Sequence, residues 1–235
     1  MRKFYFYITI LIILTGCSPS NTVKEMESSR TITDIFDKAE IKDLAVIVDF
    51  FNGQIGATKK NEKTTITQCY QRFFEWMKEC EVTGLIDVRI PYREQQKMYS
   101  QLSDSTFNQL WRIDHRWFRS VRNEADTIET KEFVYIGKYL KFLEEYGKEN
   151  SVVERCYNNL VQLGDYIPVP CMGLIMSEYE QLDVKDVRTQ LFIAMHFLTL
   201  NDGAEDSNKF DRNRDTPYKS YYYGTLPKAS KELKE

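Results

Sequence analysis

The stretch Leu191-Phe-Ile-Ala-Met-His-Phe-Leu198 constrains the fold more than any other part of the chain. Read as a helix it is apolar on every side, and a helix of that kind has to be buried. Val184 and Val187 precede it, and Asp183 or Asp186 offers a cap. A chain that buries such a helix must surround it, and the rest of the sequence supplies amphipathic segments. Ile41, Leu44, Ala45, Val48 and Phe51 recur at helical spacing before the stop Asn52-Gly53. Thr64 or Thr65 caps a second stripe of Ile66, Cys69, Tyr70, Phe73, Phe74, Met77 and Cys80, ended by Gly84. Pro91 opens a helix through Leu102, and Ser103 or Asp104 caps another that runs through Trp111 toward Arg122. Thr130, Phe133, Ile136, Leu140 and Leu143 predict a helix ending near Gly147. Asn150 or Ser151 caps Val153, Cys156, Tyr157, Leu160 and Val161. Pro168 and Pro170 predict an extended strap from Asp165 to Gly173, followed by a short helix to Leu182. The expectation is an all-α, multi-helix globular domain over 32–200, with seven or eight helices around a buried C-terminal one. A polar, Tyr-rich tail is expected over 201–235.

The first residues follow a different logic. Arg2 and Lys3 precede an apolar run from Phe4 to Leu14. As a helix that run reaches about 17 Å at roughly 1.5 Å per residue, whereas a hydrocarbon core is about 30 Å thick. It is therefore read as a signal peptide over 1–16, to be removed. The run ends in Leu14-Thr15-Gly16-Cys17, which resembles the lipobox of bacterial lipoproteins. The resemblance implies cleavage before Cys17 and acylation of Cys17, with the membrane as partner through that lipid. More than one acyl chain makes such anchoring stable. Ser18 in place of Asp implies delivery to the outer membrane in diderm bacteria, facing the periplasm. Residues 17–31 are polar and lack apolar periodicity, which predicts a flexible tether.

A formal charge of −3, made more negative by loss of Arg2 and Lys3, argues against nucleic acid as a partner. Cys69 and Cys80 share one predicted helix, about 16 Å apart, too far to bridge. Cys156 and Cys171 can reach each other, and two readings stay open: a disulfide, or buried free thiols. With two histidines and no C-x-x-C, counting alone gives no metal site and no cofactor.

The stretch richest in chemistry is Gln109-Leu-Trp-Arg-Ile-Asp-His-Arg-Trp-Phe-Arg-Ser-Val-Arg122. On a helix at about 100° per residue, Arg112, His115, Arg116, Arg119 and Arg122 gather on one face. Like charges at that spacing repel, so the face needs an anionic partner or acids from elsewhere in the chain. Glu124, Asp126, Glu129 and Glu132 follow closely, and an internal salt-bridged face is the favoured reading. The functional alternative makes Arg112, His115, Arg116 and Arg119 a site for a protein or an anionic envelope ligand.

Other candidates carry less. Adjacent Asp114 and His115 point apart on a helix and form no dyad. His196 reads as a core residue. Asp211-x-Asn213-x-Asp215 begins like a calcium loop, but Thr216 and Tyr222 stand where Gly and Glu are required. Tyr218, Tyr221, Tyr222 and Tyr223 are expected to pack on the domain. No nucleophile, zinc-protease or phosphate-loop signature is present, so no catalytic residue is assigned. The chain reads as a lipid-anchored envelope protein acting by binding, in an immunity-type or accessory role. A glycan or peptide hydrolase using an acid pair is the alternative.

Overall fold

A computed structural model describes residues 21–57, 64–83, 87–119, 125–134, 136–163 and 168–210. Among them are ten α-helices, a short 3-10 turn and a single two-stranded hairpin, so the fold is predominantly helical as expected. The buried side chains form one continuous hydrophobic core.

Three central helices follow their apolar stripes. Helix α3 (Lys38–Gln54) starts at a capping box. The Asp37 carboxylate accepts from the Ala39 and Glu40 amides, and Glu40 accepts from the Asp37 amide. Helix α4 (Ile66–Thr83) starts with the reciprocal pair Thr65 and Gln68, and buries Cys69, Tyr70, Phe73, Phe74, Met77 and Cys80. Helix α10 (Val187–Phe210) carries Leu191 to Leu198 with every side chain inaccessible. Its buried polar residues tie it to its neighbours. Asn52 donates to Gln190 and accepts from the Tyr70 hydroxyl. Gln95 donates to the Leu198 carbonyl, and Asn201 donates to Gln95 and to the Ile90 carbonyl. These bonds fix the rotation of a helix whose apolar surface alone would not set it.

The remaining elements wrap this centre. Helix α5 (Tyr92–Tyr99) follows Pro91, and α6 (Asp104–Leu110) is capped by Ser103. Helices α7 (Lys138–Gly147) and α8 (Ser151–Leu163) pack as a pair, the latter capped by the Asn150 side chain. They approach closely at Gly147, where any Cβ would meet the Glu154 backbone at 2.9 Å.

Four expectations are corrected. The polar stretch read as a tether to residue 31 is helical from Asn21 onward: α1 (Asn21–Ser28) and α2 (Arg30–Thr33) are packed elements. Val23, Met26 and Ile32 are buried, and α1 lies against α3 and α10. The strap read from Pro168 is helix α9 (Pro168–Glu178), leading into the 3-10 turn Tyr179–Gln181. Proline is tolerated in a first helical turn, where amides lack helical partners anyway. The last helix continues past 201 to Phe210. Finally, the helix read from Thr130 starts only at Lys138: Phe133 lies on a strand and Ile136 is almost fully exposed.

Candidate functional site

The stretch read as a basic helix is a strand. Helix α6 ends at Leu110, and Trp111 is already extended (φ −128°, ψ 147°). Strand β1 (Trp111–Arg119) pairs antiparallel with β2 (Ala125–Phe133). Both strands are rich in aromatic, β-branched and threonine positions, which suit a pleated surface. The foot of the hairpin locks into the core. Trp111 and Phe133 are opposite each other and stacked at 6.5 Å. The Trp111 indole donates to Thr199 of α10 at 2.9 Å, and Phe133 meets the His196 ring edge-on.

A strand has a side-chain period of two. Positions 112 and 116 therefore share one face of the ribbon, and 115 and 119 share the other. The helix on which Arg112, His115, Arg116 and Arg119 were expected to share a face is replaced by this strand. Arg112 sits opposite Glu132 and donates to its carboxylate at 2.8 Å; position 115 is in register with Glu129, 116 with Ile128 and 119 with Ala125. Arg122 and Glu124 lie outside the described residues, as do Asp211, Asn213 and Asp215 and the tyrosines from Tyr218 onward.

Beneath the foot lies a polar cluster that the sequence did not disclose. Asp202 of α10, almost inaccessible, accepts from the Tyr99 hydroxyl at 2.7 Å and from Gln96 at 3.0 Å. Lys131 of β2 stands 3.6 Å from the same carboxylate and over the Tyr99 ring. Burial, then the Asp202 charge, push the Tyr99 phenol well above its ordinary range. Glu40 accepts both bonds from the Lys138 ammonium at 2.7 Å. Each buried carboxylate among the described residues, Glu40, Glu132 and Asp202, thus has a cation beside it.

A second cluster joins α8, α9 and α10. Cys156 and Cys171 form a disulfide with Cα atoms 5.0 Å apart, which decides between the two open readings. Cys69 and Cys80 are buried on one continuous helix and are not bridged to each other, as their spacing required. His196 Nε2 lies 3.7 Å from Cys156 Sγ, and its ring packs against Phe133, Tyr139 and Phe192. Burial lowers its pKa to about 3, so the imidazole is neutral at physiological pH. The Tyr139 hydroxyl, in the same aromatic nest, is buried with no hydrogen-bond partner among the described residues.

No helix among the described residues is long and apolar enough to cross a membrane. No curated protein and no solved structure is significantly similar to the chain. Residues 1–18 match the prokaryotic membrane lipoprotein lipid attachment site, and Cys17 is the cysteine within that stretch. The leader, rather than the domain, therefore identifies the chain: it is a membrane-anchored lipoprotein of the prokaryotic cell envelope.

Proposed function

We propose that this lipoprotein acts by binding, with the β1–β2 hairpin as its recognition element and an anionic envelope ligand or acidic protein as its partner. One observation carries the reading. The ribbon has nine-residue strands, about 30 Å long, and its foot is buried while Ile113, two residues on, is half exposed. A two-stranded ribbon is marginally stable alone, and a partner laid along it supplies the missing support. Arg116, Arg119, His115 and Trp117 belong to its outer part, and Arg and Trp are the residue types that dominate binding hot spots. Acylation of Cys17 holds the domain at the membrane, and Ser18 supports an outer-membrane location facing the periplasm.

The test is a titration of the detergent-solubilised protein with phosphatidylglycerol vesicles and with acidic peptides. Wild type is compared with an Arg116→Gln, Arg119→Gln variant, which leaves the Arg112–Glu132 pair at the foot intact. The expected result is at least about tenfold weaker binding, roughly 1.4 kcal/mol, with an unchanged melting profile of α-helix. Equal binding of every anionic probe by both proteins removes the hairpin as the recognition element.

A further inference from the structure

Counting histidines argues against a metal site, but the fold brings three donors together from three helices. Cys156 Sγ (α8), Cys171 Sγ (α9) and His196 Nε2 (α10) all lie within 4.8 Å of one another and are fully buried. In the oxidised protein the two sulfurs are bonded to each other and cannot serve as thiolates. We propose that reduction of the Cys156–Cys171 bond converts this cluster into a binding site for a single Zn(II) ion.

The geometry supports the conversion. Tetrahedral zinc with Zn–S near 2.3 Å and Zn–N near 2.0 Å sets sulfur and nitrogen ligands about 3.5 Å apart. Cys156 Sγ and His196 Nε2 already stand at 3.7 Å. The two sulfurs must part to about 3.8 Å, a movement within reach of side-chain rotation on neighbouring helices. Charge favours Zn(II) over a monovalent ion. Two thiolates, one neutral imidazole and a divalent cation sum to zero, whereas a monovalent cation leaves net charge in an apolar interior, where it is costly. The ring of Tyr139 packs against His196, and its hydroxyl is a buried oxygen without a partner among the described residues. A four-coordinate ion leaves one place for a water.

The chemistry balances with a dithiol reductant of the thioredoxin class. The reductant gives up two electrons and two protons and becomes a disulfide, while Cys156 and Cys171 become thiols. Zinc then displaces both thiol protons to solvent as the two sulfurs bind. The domain would thus alternate between a covalent clasp joining α8 to α9 and a metal clasp that also recruits α10.

The experiment uses full-length, detergent-solubilised protein, reduced anaerobically with a phosphine and freed of metal. Zn(II) is titrated in competition with a chromophoric chelator, and Co(II) reports ligand type and geometry by its absorption. The expected result is a single tight site in the reduced protein and none in the oxidised protein. Cobalt should give thiolate charge-transfer and tetrahedral d–d bands. Both signals should vanish in Cys156→Ser and weaken at least tenfold in His196→Ala, and persist in Cys69→Ser, Cys80→Ser. If reduction unfolds the domain, zinc should restore its helicity at one equivalent. The proposal is overturned if reduced, folded protein holds no zinc against the chelator. It also fails if zinc does not refold an unfolded reduced chain, or if binding follows Cys69 and Cys80.

Discussion

His196 is the residue whose surroundings make the sharpest claim about solution behaviour. It sits fully buried among Phe133, Tyr139 and Phe192, and its pKa falls from 6.5 to about 3. Between those values the unfolded chain takes up a proton that the folded chain refuses. The stability contributed by its neutral form is therefore complete above pH 6.5 and is lost as pH falls toward 3. From pH 7 to pH 5 the loss is about 2 kcal/mol. Urea midpoints at the two pH values should show it in wild-type protein, and most of the difference should disappear in His196→Phe. A His196→Phe protein as acid-sensitive as wild type would assign the effect elsewhere. The sequence disclosed that this histidine is internal, because its neighbours in α10 are all apolar. It could not disclose Cys156, which lies 40 residues earlier and meets His196 only when α8 docks on α10.

At the scale of elements, the junction of α6, β2 and α7 limits what the chain tolerates. Gly137 precedes α7 with an ordinary extended backbone, yet a Cβ there would stand 2.6 Å from the Gln109 carbonyl and 3.2 Å from that of Val134. Gly137→Ala forces these backbones apart and should cost about 1–3 kcal/mol, read as a lower denaturation midpoint. A neutral result would show that the hairpin foot and α7 can separate freely. This junction is also where the sequence misleads. Helices α3, α4 and α8 were legible because stripes such as Ile41, Leu44, Val48 and Phe51 fit one period only. Trp111 to Arg119 fits two: its basic residues recur at helical spacing, while Trp111, Ile113 and Trp117 alternate like a strand. The outcome rests on Trp111 and Phe133 finding Thr199 and His196 on α10, a tertiary contact that local pattern does not carry. Helix α1 was missed because Val23 and Met26 are its only buried residues. The prolines of α9 pointed to extended chain because proline looks the same before a helix as inside its first turn.

At the scale of the whole molecule, the correction at α1 sets how the domain is held. Only three residues separate Cys17 from Asn21, a path of at most about 14 Å when fully extended. With α1 packed on α3 and α10, the anchored protein is kept close to the bilayer rather than on a long leash. A donor fluorophore at position 24 should transfer energy strongly to an acceptor lipid, and a flexible 20-residue insertion after Ser20 should lower that transfer severalfold. Equal transfer from both proteins would refute the close tether. The burial of α10 has a consequence in time as well as in space. Among the described elements α10 is the last to be made, and Asn52 waits 138 residues for Gln190. Closing contacts of such long range is slow. Until α10 emerges across the membrane, the apolar faces of α3 and α4 have no centre to cover them, beside a lipid surface able to capture them.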